Sequence, residues 1–450
     1  MISIRSPGRE GEHSNVKIKA LSLVLTAVLL LCGCGQKSET AAAAPAQAVT
    51  ASAAQSGMAR PVSTGVAPEQ FGAKGDGIAD DLQALQAAMQ QASASGRPLE
   101  LTAGAVYRFS SCLGLPSGLT IRGNGAVLLS DIQYPDPRED RVAVELMKDS
   151  DDDRAHDVRL ENVTFRAADS CQANYMLRVM LARNVEFVGC TFDCEPNEWG
   201  RCAADLYGGN ENIRFEGCVF RQMTSGASGG IWVRNWTDRV ESRNIRFQNC
   251  EFYKSGADEL LAVWGWGGAV RNVVLSGCSF YETQTQEALD AGHRPAWFIT
   301  LGQSGTTDVR MEDCTVRAEY CETIFRMVGD KTRAVVDNCD ITMKQPDSMA
   351  EHDMKKGANP MLARGNDRAD GSTVIQNSRI TLSGDNGRRI CYQLSALKGN
   401  TLDVSLGYGI ASTKEVSGNT IRGRIRHKVF QDCSGVENNK VEVRRFSILG

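Results

Sequence analysis

Apolar and polar positions alternate along this chain in one sentence that recurs six times. The copies are Asn184-Val-Glu-Phe-Val-Gly-Cys190, Asn212-Ile-Arg-Phe-Glu-Gly-Cys218, Asn244-Ile-Arg-Phe-Gln-Asn-Cys250, Asn272-Val-Val-Leu-Ser-Gly-Cys278, Asp308-Val-Arg-Met-Glu-Asp-Cys314 and Ala334-Val-Val-Asp-Asn-Cys339. An apolar residue stands two positions after each cysteine: Phe192, Phe220, Phe252, Phe280, Val316 and Ile341. The steps are bounded: 218 − 190 = 28, 250 − 218 = 32, 278 − 250 = 28, 314 − 278 = 36 and 339 − 314 = 25. A self-similar unit of this size marks a solenoid. Alternating β-branched and aromatic residues make each unit strand-forming rather than a helix pair. Fainter copies begin at Val158, Val374, Val416 and Val436. The pattern predicts an all-β, single-stranded parallel β-helix of about a dozen coils.

One coil divides as follows. Asn212–Phe215 is a strand, Glu216-Gly-Cys218 a tight turn and Val219-Phe220 a second strand. After a loop at 221–229, Gly230–Trp236 is a third strand. Loops lie outside and carry function. The third strand recurs at Tyr175–Leu181, Glu259–Gly265, Ala296–Gly302 and Thr323–Val328. With Ile231 and Val233 inside, strand alternation turns Trp232, Arg234 and Trp236 outward, and Trp264 in the next coil. All six tryptophans fall between Trp199 and Trp297. An exposed aromatic row on one column reads as a platform on which sugar rings stack; packing of some rings into the protein is the other reading.

Fifteen cysteines are present. The six in the repeat occupy equivalent positions and should stack inside as small hydrophobes. No Cys-x-x-Cys pair occurs, so no metal site is expected. Cys194 and Cys202, with Cys171, lie outside the ladder and are the disulfide candidates. Net charge is −4, with no basic concentration that would mark a nucleic-acid partner. Near the start, Leu82, Leu85 and Met89 form one apolar helical face behind Asp80 or Asp81 as N-cap. That helix supplies the end cap a solenoid needs.

Lys17 and Lys19 precede an apolar run, Ala20 to Leu31, too short to span a membrane in a mature protein. It ends in Leu31-Cys32-Gly33-Cys34, which resembles the lipobox of bacterial lipoproteins. The resemblance implies a signal peptide over 1–34, lipidation at Cys34 and anchorage to a membrane of the bacterial cell envelope. An ordinary secretory signal is the alternative. Residues 35–66, rich in Ala, Ser and Pro, read as a flexible tether, and 67–450 as the β-helix domain.

The stretch Phe71-Gly-Ala-Lys-Gly-Asp-Gly77, Asp80-Asp81, Ala84-Leu-Gln-Ala-Ala-Met89 and Leu115-Pro-Ser-Gly-Leu-Thr-Ile-Arg-Gly-Asn-Gly125 resembles the opening of the pectate-lyase-like superfamily. That group includes polygalacturonases, rhamnogalacturonases, epimerases and phage tailspikes. The resemblance implies a right-handed β-helix that acts on or binds acidic polysaccharide; it does not select a reaction. Asp258-Glu259 before Leu260-Leu-Ala-Val-Trp264 looks like the polygalacturonase segment with two adjacent aspartates. Gly292-His293 looks like its Gly-His-Gly, and Arg326 like its Arg-x-Lys, at coil-sized steps of 293 − 258 = 35 and 326 − 293 = 33.

The carry-over makes Asp258 the general acid, Glu259 a base or water-positioner and His293 a group that tunes the acid. Arg234, Arg294 and Arg326 would bind substrate beside Trp232, Trp236 and Trp264. Inverting hydrolysis needs two carboxyl groups roughly 6.5–9.5 Å apart, and arginine grips a carboxylate with two hydrogen bonds. The chain departs from the family at Glu259, Arg294 and Met327-Val328, and it lacks the preceding Asn-Thr-Asp. Two other readings stand. A lyase or epimerase would use a base with Arg234, Lys254, His293, Arg294 or Tyr320, or with Ca²⁺, for which Asp149-Ser-Asp-Asp-Asp153 offers carboxylates without a glycine turn. A non-catalytic glycan-binding or adhesive lipoprotein would use the groove alone. No other cofactor is expected.

Overall fold

The structure is a computed structural model that describes residues 65–133, 141–147, 154–194, 202–223, 230–235, 240–254, 259–282, 297–345, 360–366, 370–384 and 387–445. The expected coil is present. In one turn of the solenoid, Glu211–Glu216 lies in a first sheet, Val219–Met223 in a second and Ile231–Arg234 in a third. Every strand pairing is parallel and joins equivalent positions of successive coils, as in Phe187↔Phe215↔Phe247 and Phe192↔Phe220↔Phe252. The second sheet stacks fourteen strands, from Asp76–Asp80 to Lys440–Arg444. The first and third are joined into one hydrogen-bonded network by Leu261–Ser276, a 16-residue strand that passes through the corner between them. At that corner a Cβ on Gly305 would overlap the Gly265 carbonyl, so both coils carry glycine where they meet.

The residue before each ladder cysteine has a left-handed backbone: Gly189, Gly217, Asn249, Gly277, Asp313 and Asn338, with φ from 51° to 62°. Only Gly, Asn and Asp adopt that conformation readily. This requirement writes the recurring Gly/Asn/Asp-Cys of the sequence. The asparagine that opens most copies is also left-handed, at φ 55°, 57°, 58° and 52° for Asn184, Asn212, Asn244 and Asn272. Each passes its amide back one coil. Asn272 donates to Asn244 at 2.7 Å, Asn244 to Asn212 at 2.9 Å, Asn212 to Asn184 at 3.0 Å and Asn184 to the Asp157 carboxylate at 2.8 Å.

Inside, two columns of phenylalanine stack. Phe165, Phe192, Phe220, Phe252 and Phe280 sit 4.6–5.0 Å apart with planes within 10°. Phe187, Phe215 and Phe247 form the other column, which meets the first edge to face, as at Phe187–Phe192 (6.0 Å, 64°). Such geometries suit the ring quadrupole. The six ladder cysteines are buried between them, and their thiols donate to backbone carbonyls, as Cys218 does to Phe187 at 3.3 Å. Among the described residues thirteen cysteines are present and none forms a disulfide, the candidates Cys171, Cys194 and Cys202 included. Cys202 instead donates to the carbonyls of Ala204 and Gly230, and Cys171 packs against the Ser130 hydroxyl.

The capping helix spans Leu82–Ser95 and buries Leu82, Leu85, Ala88, Met89 and Ala92 over the first coils. Asp81 holds the N-cap position, but its carboxylate accepts from Lys74 and Gly75 N–H at 2.7 and 3.0 Å. Asp80 accepts from the Leu82 N–H instead. The Gly-Asp-Gly loop is thereby tied to the helix start. Val66 bridges to Leu99 and is fully buried, so the body begins one residue inside the expected tether. Cys34, the leader and residues 35–64 lie outside the described residues.

Phe247 touches the Phe215 ring one coil back and the Phe220 and Phe252 rings beside it. Phe247→Ala should lower unfolding free energy by about 3–5 kcal/mol, read from the urea midpoint at unchanged slope.

Candidate functional site

The third sheet turns a continuous column of side chains away from the core. In register it reads Glu145, Arg178, Asp205, Trp232, Ala262, Thr300, Arg326 and Arg364, one residue per coil. A parallel column reads Tyr207, Arg234 and Trp264. The predicted third-strand positions are therefore correct, and Trp232, Arg234 and Trp264 do face outward. They are not laid open. Trp232 and Arg234 are each only 7% exposed, and Asp205 is completely buried.

Two polar clusters occupy this face. In the first, the Arg234 guanidinium grips Asp205 with both arms, Nε to Oδ1 at 2.7 Å and Nη2 to Oδ2 at 2.8 Å. Arg178 adds Nε to Oδ2 at 3.1 Å. Arg234 also stacks over Trp232 (4.1 Å to the centroid) and Tyr207 (4.9 Å), and Arg178 over Tyr175 (4.4 Å). A carboxylate taken out of water is tolerated when its lone pairs are filled in this way. Arg234, expected to clamp substrate, has its fork committed to Asp205. Burial pushes the Tyr175 phenol up to about 12 and raises the Cys202 thiol well above its ordinary value, so both stay neutral.

The second cluster surrounds Glu259, which lies just before the strand that starts at Leu261 and is 4% exposed. Its Oε1 accepts from the Thr300 hydroxyl at 2.7 Å and lies 3.7 Å from Arg326 Nη1. Arg326 donates to Gln303 Oε1 at 3.0 Å and stacks on Trp297, 3.7 Å from ring centroid to Cζ. Burial pushes Arg326 below its ordinary value; Glu259 pulls it back up, and Arg364, one coil on, adds to the fall. Glu259 and Arg326, expected separately as base and substrate clamp, lie against each other across coils. Asp205 and Thr300 hang three coils apart, about 14 Å at the inter-strand spacing. Asp205 and Glu259 therefore do not flank one glycosidic bond.

The aromatic platform is rearranged. Trp232 and Trp264 pack on each other (5.5 Å, 31°), so coil stacking turns ring faces toward one another rather than toward solvent. Trp266, set edge-on to Trp264 at 6.4 Å, is 58% exposed. Trp236, Asp258, His293 and Arg294 lie outside the described residues, as does Asp149–Asp153. Among the described residues no three His, Cys, Asp or Glu side chains converge as a metal site.

Sequence reading missed Arg178, Asp205 and Thr300. The signal was available: aligning Cys202–Tyr207 with Ile231–Arg234 places Asp205 on the outward column, one coil below Trp232. Removing Asp205 would leave two buried guanidinium groups without their shared anion. Asp205→Asn should cost about 3–5 kcal/mol in chemical unfolding, far more than a surface carboxylate.

No curated protein matches the chain. Among solved structures, the surface adhesin PfbA of Streptococcus pneumoniae is similar at 16% identity and TM-score 0.52, covering 84% of this chain and 96% of that one. The Family 28 exopolygalacturonase of Yersinia enterocolitica is similar at 12% identity and TM-score 0.44, over 85% and 79%. The mannuronan C-5 epimerase AlgE4 A-module of Azotobacter vinelandii is similar at 15% identity and TM-score 0.43, over 85% and 100%. The adhesin bears out the solenoid fold and speaks to nothing beyond it. The family model described as rhamnogalacturonase A/epimerase, pectate lyase-like matches residues 66–349, from the first bridged residue through the coils that carry both clusters, and the chain belongs to that family.

Proposed function

We propose that this protein acts on an acidic polysaccharide laid along the outer face of the third sheet, as a polygalacturonase-like glycoside hydrolase. The observation that carries the reading is the Glu259–Arg326–Trp297 cluster: a carboxylate, a guanidinium and an aromatic ring assembled from three successive coils. Glu259 faces the Arg326 guanidinium and accepts from the Thr300 hydroxyl. An ionised carboxylate is what the water-activating base of an inverting hydrolase requires. Asp258, adjacent in sequence, is the acid in this proposal, with His293 tuning it and Arg294 beside it on the substrate. Arg326 and Arg364 stand one coil apart on the same column and offer positive charge to substrate carboxylates. Tyr175 and Cys202, both held neutral, are not bases in this site.

A binding-only reading has one observation of its own. The Glu259 carboxylate is almost wholly enclosed and already has two partners, as suits a structural ion pair beneath a glycan-binding surface. The leader sequence adds a further proposal, that the mature protein is lipid-anchored at Cys34 in the bacterial envelope.

The purified protein, tested on a panel of polyuronides and bacterial exopolysaccharides, should release reducing ends without the ultraviolet absorbance of an unsaturated product. Glu259→Gln should lower that rate at least about a hundredfold while leaving the fold intact. Absorbance rising with the reducing ends would make the protein a lyase. Retention of glycan without either signal would establish the binding reading. In cells, fatty-acid label should enter the wild type and be absent from Cys34→Ser.

A further inference from the structure

Between the two polar clusters lie two hydrogen-bond donors with nothing to bond. The indole Nε1 groups of Trp232 and Trp264 are both screened from solvent and both lack a partner. Their rings are neighbours, 5.5 Å apart. Trp232 is nine-tenths buried, in a small outer cluster with Cys202 and Ala262 against which Tyr175 and Trp264 pack. A buried N–H left unmade is a standing cost to the folded protein, and native structures rarely keep one without a use. Here two stand side by side, on the face where the substrate is proposed to lie.

The surroundings narrow what they are for. Beside them is Arg234, whose guanidinium lies 4.1 Å from the Trp232 ring centroid. Along one column Glu145, Arg178 and Asp205 alternate in sign, and Arg234 stands on the neighbouring column with Trp264. Both lone-pair directions of Asp205 toward this side are filled by arginine. A hydroxyl or a water would satisfy the indoles only by bringing a donor of its own. A carboxylate is acceptor-only and takes several N–H bonds at once. The exposed Trp266 ring, edge-on to Trp264, stands at the rim by which a sugar approaches.

We propose that Trp232 and Trp264 form a donor-only subsite that receives one carboxylate of the acidic polysaccharide. The inference rests on the functional reading above and adds a place that neither the carboxylate base nor Arg326 occupies. It selects for charged over neutral sugar units, and it trades stability of the empty protein for recognition.

The test uses the purified full chain, with oligogalacturonate and oligomannuronate as acidic probes and a neutral cello-oligosaccharide as control. Binding is read by calorimetry and stability by thermal melting. Trp232→Phe and Trp264→Phe keep a six-membered aromatic ring and delete the N–H with the rest of the indole. The small void left behind offsets the relief of the orphaned donor, so each should melt close to the wild-type temperature without sugar and bind an acidic probe about tenfold more weakly. Neutral-sugar binding should not change. Tyr281→Phe, on the second sheet, should match the wild type throughout. If the wild type binds acidic probes and both indole variants bind them equally well, the N–H groups are satisfied by water and the subsite is refuted, while the polysaccharide reading stands. If Trp232→Phe and Trp264→Phe melt well below the wild type, the N–H groups are structural and the subsite is again refuted. If the wild type binds no acidic probe, the functional reading falls and the subsite with it.

Discussion

Register is the constraint on which everything else in this protein depends. Each residue pairs with its equivalent one coil away, at the fixed inter-strand distance of a parallel ladder. Whatever stands at a position is therefore in contact with what stands there in the coils before and after. Side chains that gain by self-contact accumulate: phenylalanines in two herringbone columns, thiols between them, amides along an outer corner. A slip of one residue would turn the phenylalanines out and the charges in. Since both faces of the repeat are committed, the register is held from each side.

The same rule operates on charge. Like charges stacked along a column would repel, and the outer face of the third sheet avoids this by alternating them through Glu145, Arg178 and Asp205. Around Glu259 the alternation is kept by borrowing across coils, with Arg326 reaching back to a carboxylate from an earlier turn. The exception is Arg326 beside Arg364, where two cations are adjacent and Arg326 is pushed below its ordinary value. On this face the two arginines form a run of like charge.

Most of the fold was legible because the repeat is dictated locally. The left-handed residue before each cysteine must be Gly, Asn or Asp, and the phenylalanine two positions later must face in. These demands leave marks that survive in a single sequence. The third-strand positions, including Tyr175–Met180 and Thr323–Arg326, followed from spacing alone. The site was less legible, for a physical reason. Alternation says which way a side chain leaves the strand, but not whether another segment lies over it. Trp232 and Arg234 were placed on the correct side and wrongly taken as open. Asp205 was missed because Cys202–Tyr207 was not aligned with Ile231–Arg234, the step that puts it on the outward column; its two arginine partners come to it only through coiling. The resemblance named Glu259 and Arg326 as members of one site but not as partners, across a separation of 326 − 259 = 67 residues.

The asparagine corner has a direction. Every amide donates toward the N-terminal coil, and the series ends on the Asp157 carboxylate, which Asn184 holds below its ordinary value. Hydrogen-bonded chains of this kind polarise one another, each link strengthening the next. A coil already in place thus presents a polarised amide oxygen toward the side from which the following coil must come. Chains are made from the N-terminus. The molecule in this respect works as a one-way template, in which the finished part of the solenoid offers the acceptor before the next donor has been synthesised.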